Sequence, residues 1–229
     1  MIGIYDYTVI LTYLSLLSAV TGIMVCTFGS GHPYIGSFFL LFCGLCDTFD
    51  GIVARSKPGR TEKEKCFGMQ IDSLSDLVAF GVLPAAIAIS LLTSGVRRVS
   101  VFNDAGVFKL YSVLYFAAAL FFVLAAMVRL AWFNVLELHH EGTDEEGHKR
   151  YVGLPVTASA LIFPLILLLN YLTVRDFSLA YFVALPVVGC LFLGRFTIRK
   201  PSRRTLILLI AIGAAEFFLM ALYLHIRRR

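Results

Sequence analysis

Charged residues are scarce in this chain of 229 residues, where Asp, Glu, Lys and Arg together make up 15% of the total. A soluble domain usually contains roughly 25% charged and about 45–50% apolar residues. Here 59% of the residues are hydrophobic, and one core of this size cannot bury so much apolar surface. An ordinary soluble domain is therefore excluded. Intrinsic disorder is excluded as well, because it requires low hydrophobicity and high net charge.

A cysteine framework and a signal peptide are also missing. Cys43 and Cys46 form a C-x-x-C pair, but no second pair and no histidine ligand completes a zinc set. Free cysteines in apolar runs pack as small hydrophobes, which is the role expected here. The N-terminus lacks a basic region and a small-residue cleavage site, so we expect the first apolar stretch to stay in the mature protein.

Long apolar runs dominate what the sequence does contain. A helix needs about 20 mostly apolar residues to cross the hydrocarbon core of a bilayer. The runs predict an all-α, polytopic membrane helix bundle that forms a single domain over residues 1–229, without internal repeats. The predicted spans are 8–29, 34–55, 69–93, 109–137, 153–174, 178–197 and 205–226.

The distribution of Lys and Arg predicts the orientation. If the loop 55–68 is cytoplasmic, the N-terminus is also inside, and the inside segments carry twelve Lys and Arg residues against seven outside. Positive residues favour the cytoplasmic side of a membrane. Arg227 to Arg229 oppose this orientation, and they would come inside if the run 205–226 does not cross. The net charge of +5 thus reflects loop topology and lipid phosphates, and we expect no nucleic-acid partner.

Four aspartates stand at the ends of two neighbouring predicted spans. Asp47 and Asp50 are three residues apart, and Asp72 and Asp76 are four apart, so each pair lies on one helical face. A charged residue within a span costs about 2.5–3.5 kcal/mol on insertion scales, which makes each of them a functional hypothesis. Because the intervening loop is short, we expect both pairs to lie near the same cytoplasmic level.

Four clustered carboxylates would repel one another without a cation. Hard oxygen ligands suit Mg²⁺ or Mn²⁺, and two ions about 3.5–4 Å apart could bridge the set. Gly51, Ala54 and Gly68 lie one helical turn from the acids, where small residues permit close helix packing or the close approach of a ligand. A D-x-x-D pair alone is usually a solvated helix cap, so the joint pattern carries the hypothesis.

The pattern D-x2-D-G-x2-A-R-x12-G-x3-D-x3-D at 47–76 resembles the signature of the CDP-alcohol phosphotransferases. These integral membrane enzymes displace CMP from a CDP-linked lipid or alcohol. All eight signature positions are present: Asp47, Asp50, Gly51, Ala54, Arg55, Gly68, Asp72 and Asp76. The spacer of 12 residues between Arg55 and Gly68 is longer than the commonest form, so the resemblance does not define the loop conformation.

The run 72–85, DSLSDLVAFGVLPA, is similar to the phosphatidylserine synthase branch of the family, as are 129–134 and 153–155. The first span of the family often contains T-x2-N-x3-G, where this chain has Ser15, Ser18 and Gly22. Hydroxyl groups could replace the amide, so both serines are predicted contacts on the nucleotide side. The family has a six-span core, to which the run 205–226 adds an extra C-terminal span.

The resemblance implies that CDP-diacylglycerol and L-serine react to give phosphatidylserine and CMP. It places the enzyme in the cytoplasmic membrane, with the active site facing the cytoplasm, and implies a homodimer. Asp76 would be the general base. The implied ligands of Mg²⁺ or Mn²⁺, as two ions, are Asp47, Asp50, Asp72 and Asp76. The implied nucleotide and diphosphate contacts are Gly51, Ala54, Arg55 and Gly68.

The acceptor serine is a zwitterion whose carboxylate needs a cation. Arg129 is the leading candidate because it is the only basic residue deep within a predicted span. A structural pair with a carbonyl group or with Glu137 is the alternative. Asn134, Lys149 and Arg150 lie toward the same cytoplasmic end and are further candidates for serine binding.

Other assignments stay open. Inositol phosphate or glycerol phosphate could replace serine, and an archaeal-type CDP-lipid could replace CDP-diacylglycerol. A divalent-cation or proton-coupled transporter would also use the aspartates, but it would have acids spread along a pathway through the membrane. Glu216, the one acid in the last apolar run, has no assigned role.

Overall fold

The structure is a computed structural model that describes residues 3–28, 32–96, 105–138, 150–173, 178–199, 211–219 and 221–222. The main helices are α1 (Ile10–Thr27), α2 (Pro33–Ser56), α3 (Glu62–Asp76), α4 (Leu83–Val96), α5 (Ala105–Leu138), α6 (Ser159–Thr173) and α7 (Ser178–Leu193). Residues 211–219 are also helical. Two short strands, β1 (Arg150–Val152) and β2 (Thr197–Arg199), form an antiparallel pair in which Arg150 lies opposite Arg199. The predicted all-α membrane bundle is confirmed.

Among the described residues, four helices are long and apolar enough to cross a membrane. They are Tyr7–Thr27, Pro33–Ser56, Glu62–Thr93 and Leu110–Leu136. Two shorter apolar helices cover Val156–Leu169 and Ser178–Leu193. These helices make the chain an integral membrane protein. The seven spans, their orientation and the single-domain organisation stay predictions.

Helices α1 and α2 form the most extensive helix pair of the molecule. Small and hydroxyl residues at their interface allow the backbones to approach each other closely, as is common between membrane helices. The Ser18 hydroxyl donates a hydrogen bond to the Phe39 carbonyl at 3.2 Å, and the Cys43 thiol donates one to the Ser15 carbonyl at 3.3 Å. This pair holds α2, which carries two of the four aspartates, in a fixed position.

The hydrophobic core continues from α1 and α2 to the place where α4, α5, α6 and α7 meet. Its largest buried side chains are aromatic, and the rings of Phe163 and Tyr181 lie 4.8 Å apart between centroids. Burial would leave the Tyr181 hydroxyl unsatisfied, but it donates a hydrogen bond to the Pro84 carbonyl at 3.0 Å. The core therefore holds α4, the continuation of the helix that carries Asp72 and Asp76.

A π-helical turn, Leu77–Val82, joins α3 to α4 directly after Asp76. Pro84 has no N–H to bond with the carbonyl group four residues before it, that of Phe80. The Ser159 hydroxyl takes this place and donates to the Phe80 carbonyl at 3.0 Å. A π-turn adds one residue to the helix and so rotates the residues after it about the helix axis, and such turns are frequent at functional sites. Here the turn separates acidic α3 from apolar α4.

Candidate active site

The two acid pairs lie on helices that run in opposite directions from one loop. Asp50 is six residues before the end of α2, and Asp72 is ten residues after the start of α3. At 1.5 Å per residue, these offsets place both residues about 9–15 Å from the loop. Helix α3 packs mainly on α1 and α5. Its acidic residues are nevertheless turned toward those of α2, because Asp72 lies beside Asp47 and Asp50.

Three of the four carboxylates form one cluster. Oxygen atoms of Asp47, Asp50 and Asp72 all lie within 4.8 Å of one another. The carboxyl groups of Asp50 and Asp72 are within hydrogen-bonding reach. Asp76 lies outside this triad, but it is close enough to interact electrostatically with all three. Asp50 and Asp76 are each only 9% exposed, so the negative charges are concentrated in a mostly buried volume.

No basic side chain that the structure describes neutralises the charge of this cluster. Within the part of the chain that the structure describes, none of the four aspartates forms an ion pair with Lys or Arg. Buried carboxylates are normally paired or bound to a metal. A set of oxygen donors with this spacing and no basic partner fits a hard divalent cation such as Mg²⁺ or Mn²⁺.

Arg55 and Gly51 lie beside the cluster, at the end of α2. Arg55 is exposed, and its guanidinium lies over Gly51: a Cβ atom built at that glycine would be 3.2 Å from the Arg55 Nη1 atom. Glycine therefore lets the guanidinium approach the backbone next to Asp50. An exposed arginine near buried acids is suited to hold an anionic ligand that also contacts a metal.

Gly68 and Ala54 contact a residue that the sequence did not single out. A Cβ atom built at Gly68 would lie 2.8 Å from the Arg60 Nη2 atom, and Arg60 Nη1 donates a hydrogen bond to the Ala54 carbonyl at 3.3 Å. The sequence places Arg60 only among the basic residues of the predicted cytoplasmic loop and predicts no binding role for it. The unusual length of the spacer between Arg55 and Gly68 is the one sequence feature that could have indicated such a role.

The two serines of α1 lie at the helix interface. Ser18 bonds to the Phe39 carbonyl, as described above. Ser15 is buried, and its hydroxyl has no hydrogen-bond partner. Nearby, the Ser75 hydroxyl of α3 donates to the Thr12 carbonyl at 3.2 Å, which ties the acidic helix to α1. The Ser18 hydroxyl is therefore used in packing, whereas the Ser15 hydroxyl forms no hydrogen bond among the described residues and lies in a residue that is 2% exposed.

The structure describes the side chains of two of the four predicted serine-binding residues, Asn134 and Arg129. Asn134 lies near the acids, because the Ser73 hydroxyl beside Asp72 donates to Asn134 Oδ1 at 2.9 Å. Arg129 is 5% exposed, and its Nε donates to the Leu154 carbonyl at 3.1 Å, which is the carbonyl contact considered as its alternative role.

The remaining two candidates are less well defined. Lys149 lies outside the described residues. Arg150 belongs to β1, but its side chain is outside the described part. The next residue after β1 with a special conformation is Gly153, whose φ of +78° and close approach to the Gly194 carbonyl require glycine. It fixes the path of the chain to Leu154, the partner of Arg129.

The loop between α2 and α3 is held at both ends. Thr61 and Glu64 form a capping box that starts α3 at Glu62, well before the apolar stretch. Lys57 Nζ lies 2.5 Å from Asp6 Oδ2 and 2.7 Å from Glu64 Oε1, so it connects the segment before α1 to the start of α3. Lys57 and Asp6 lie outside the spans. Their bond lowers the pKa of Asp6 well below its usual value, and the bonds to Asp6 and Glu64 raise the pKa of Lys57.

Comparison with known proteins gives the same family as the signature. The family model described as CDP-alcohol phosphatidyltransferase matches residues 8–193. A CDP-diacylglycerol–serine O-phosphatidyltransferase of Methanocaldococcus jannaschii is 28% identical over 163 residues, which cover 71% of this chain and 62% of the relative.

Two further relatives come from a yeast and an archaeon. The Saccharomyces cerevisiae protein of the same name is 33% identical, with 58% of this chain and 42% of the relative covered. An archaetidylserine synthase of Methanothermobacter thermautotrophicus is 31% identical, with 65% and 53% covered. The matched part of the chain thus spans about two fifths to three fifths of the length of these relatives.

Proposed function

This chain belongs to the CDP-alcohol phosphatidyltransferase family, and on that premise we propose that it transfers a phosphatidyl group from CDP-diacylglycerol to L-serine and releases CMP. The observation that carries the proposal is the cluster of aspartate oxygens within 4.8 Å of one another, in a family signature at 47–76. The names of the relatives support serine as the acceptor.

The cluster would hold the divalent cation on which this family generally depends. Asp47, Asp50 and Asp72 supply oxygen donors at suitable distances, and Asp76 would complete the set for two ions, Mg²⁺ or Mn²⁺. When bound, the metal would neutralise the negative charge that develops on the departing CMP.

Asp76 would act as the general base. It lies close to the triad but outside it, and it is the last residue of α3, directly before the π-turn. The serine hydroxyl would give its proton to the Asp76 carboxylate as its oxygen forms a bond to the lipid-side phosphorus. The bond from that phosphorus to the bridging oxygen breaks, and CMP leaves with the electron pair. The proton then passes from Asp76 to water.

The other signature residues would bind the nucleotide half of the substrate. The exposed Arg55 guanidinium would pair with a phosphate group, and Gly51, Ala54 and Gly68 would let the ligand approach the helix backbones. The Ser15 hydroxyl is the better placed of the two serines of α1 for a nucleotide contact, since the Ser18 hydroxyl is engaged by Phe39.

The acceptor side would be formed by α5. Asn134 would contact the amino or carboxylate group of serine, and its hydrogen bond with Ser73, next to Asp72, supports this role. Arg129 would offer its charge to the serine carboxylate while its Nε stays bonded to Leu154. Lys149 and Arg150 complete the candidates at this end of the helix.

The location and assembly of the enzyme follow from the same proposal. We expect it in the cytoplasmic membrane, with the N-terminus and the active site facing the cytoplasm. We also expect a homodimer. The lipid half of the substrate has a second candidate, an archaeal-type CDP-lipid, which the name of the Methanothermobacter relative supports.

A single assay tests the proposal. Purified protein in detergent, with CDP-diacylglycerol, L-serine and Mg²⁺ or Mn²⁺, should release CMP, and Asp76→Asn should abolish that release. Asp6→Asn, a change to a paired acid near the surface, is the matched control and should stay active. CMP release without serine, or full activity in EDTA, would contradict the assignment. Running the assay with other acceptor alcohols and with both lipid types would identify the substrates.

A further inference from the structure

Arg60, in the loop between α2 and α3, has a guanidinium group that is bonded to two backbone carbonyl groups. Its Nη1 atom donates to the Ala54 carbonyl at 3.3 Å, and its Nη2 atom donates to the Glu64 carbonyl at 3.2 Å. Both distances stand at or just beyond the long end of the usual range for an N–H···O hydrogen bond, about 2.7–3.2 Å. Within the described residues, Arg60 has no carboxylate partner, although Lys57 in the same loop has two.

One donor of Arg60 is left unused. The Nε atom is buried and has no hydrogen-bond partner in the part of the chain that the structure describes. Buried donors in folded proteins are almost always bonded, so an exception requires an explanation. Nε and an adjacent Nη together form the planar fork by which arginine binds two oxygen atoms of one phosphate or carboxylate group. The unsatisfied edge of Arg60 therefore has the chemistry of a binding site for an oxyanion.

The guanidinium also lies against two signature positions. It contacts the carbonyl group of Ala54, and a Cβ atom at position 68 would lie 2.8 Å from Nη2, so the glycine leaves room for the guanidinium in this conformation. The proposed function assigns these small residues to the nucleotide and its diphosphate. Arg60 thus contacts two of the positions at which the proposed function has an anionic ligand bind.

The loop holds Arg60 there by fixing the chain on both sides of it. Lys57 connects the loop to Asp6 and Glu64, and the Thr61–Glu64 capping box begins α3 immediately after Arg60. The backbone at Arg60 is therefore constrained, while the long side chain can change its partners. The extra length of the spacer between Arg55 and Gly68 supplies this ordered segment.

We propose that Arg60 is a second phosphate-binding cation of the nucleotide site. When the nucleotide binds, the side chain exchanges a long bond to a carbonyl group for a two-pronged contact of Nε and one Nη with a phosphate group of the CDP moiety. Bonds between a guanidinium and a phosphate are shorter and stronger than the bonds that they replace. The inference rests on the proposed function, because that function supplies the nucleotide.

The test measures binding of CDP, without lipid or serine, to the full-length protein in the presence of Mg²⁺, by isothermal titration calorimetry. Arg60→Gln should raise the Kd for CDP about tenfold, which corresponds to 1.4 kcal/mol. Arg60→Lys should give a smaller increase, because lysine keeps the charge but loses the fork. The KM for CDP-diacylglycerol should rise in parallel, whereas the KM for L-serine should change by less than about twofold.

Lys63→Gln is the matched control. Lys63 is exposed in the first turn of α3, three residues after Arg60, and its replacement removes one positive charge, as Arg60→Gln does. Lys63→Gln should leave the Kd for CDP unchanged. An equal effect in both glutamine variants would overturn the proposal in favour of general electrostatic attraction. An unchanged Kd in Arg60→Gln, or equal increases in the KM of both substrates together with a lower melting temperature, would assign Arg60 a structural role only.

Failure of this inference can be distinguished from failure of the proposed function. If the unaltered protein binds CDP and releases CMP while Arg60→Gln behaves like it, only the role of Arg60 is refuted. If the unaltered protein neither binds CDP nor releases CMP, the proposed function fails and Arg60 has no nucleotide to bind. Arg60→Lys keeps the test decisive if the glutamine variant does not fold.

Discussion

Two groups of acidic residues in this protein differ in whether a lysine pairs with them. Near the loop surface, Asp6 and Glu64 share Lys57, and Glu62 pairs with Lys65 at 2.8 Å. Deeper in the molecule, the four aspartates of α2 and α3 are largely buried and, among the described residues, form no ion pair. The group with the greater need for a counter-charge is the group without one.

This difference in pairing indicates that the two groups of acids have different roles, one in the stability of the loop and one in binding. Exposed ion pairs contribute little to stability, so the lysine-paired acids mainly hold the loop in place. Buried like charges destabilise a fold unless a ligand neutralises them. On the proposed function the buried acids serve to bind a cation, so removing charge from the two groups should affect stability in opposite directions.

The largest expected effect comes from a buried acid. Asp72→Asn should reduce CMP release by on the order of 10²–10³-fold, since an electrostatic contact to the reacting groups is lost. In EDTA, the same variant should melt at a higher temperature than the unaltered protein, because one of the mutually repelling charges is gone. Activity assays and thermal melting in detergent measure the two effects.

Added metal completes this test. Mg²⁺ or Mn²⁺ should raise the melting temperature of the unaltered protein, as any ligand of the native state does, and should raise that of Asp72→Asn much less. A lower melting temperature of Asp72→Asn in EDTA would show that the aspartates stabilise the fold without a metal. The comparison between the two acid groups would then be wrong.

The position of the acids could largely be predicted from the sequence. The spacing within each pair defined one helical face, and the short loop brought the two faces together, as the cluster of Asp47, Asp50 and Asp72 shows. The capping box that starts α3 was also present in the sequence as Thr61 and Glu64, but the apolar stretch alone suggested a later start. Local patterns of this kind depend on a few neighbouring residues.

What could not be predicted depends on contacts between distant parts of the chain. The partner of the Phe80 carbonyl is Ser159, 79 residues away, and no local pattern indicates it. The position of Arg60 against Gly68 depends on the path of a loop whose length differs from the common family form. The contact between Ser73 and Asn134 likewise follows from the packing of α3 on α5.

A neutral residue beside the buried acids should have an intermediate effect. Asn134→Ala removes the acceptor of the Ser73 hydroxyl and the proposed contact to serine, so the KM for L-serine should rise about tenfold, with little change in the KM for CDP-diacylglycerol. Ser73→Ala is the control, because it removes the same hydrogen bond but leaves the asparagine. If both variants change the KM for serine equally, Asn134 acts only by positioning α3.

The smallest expected effect comes from the paired acids. Lys57→Gln should lower the melting temperature by no more than about 4 °C and leave CMP release nearly unchanged.

The pH dependence of this effect follows from the pKa values of the pair. Because the bond to Lys57 lowers the pKa of Asp6, the stabilisation by Asp6 is present above the ordinary pKa of 3.8 and is lost as the pH falls further. The pKa of Lys57 is raised, so its contribution is lost only as the pH rises above its ordinary value of 10.5. The difference in melting temperature between Lys57→Gln and the unaltered protein should thus be constant from about pH 5 to 9 and shrink in stronger acid. A difference that instead grows in acid, or a large loss of CMP release at neutral pH, would mean that Lys57 belongs with the functional charges and not with the structural ones.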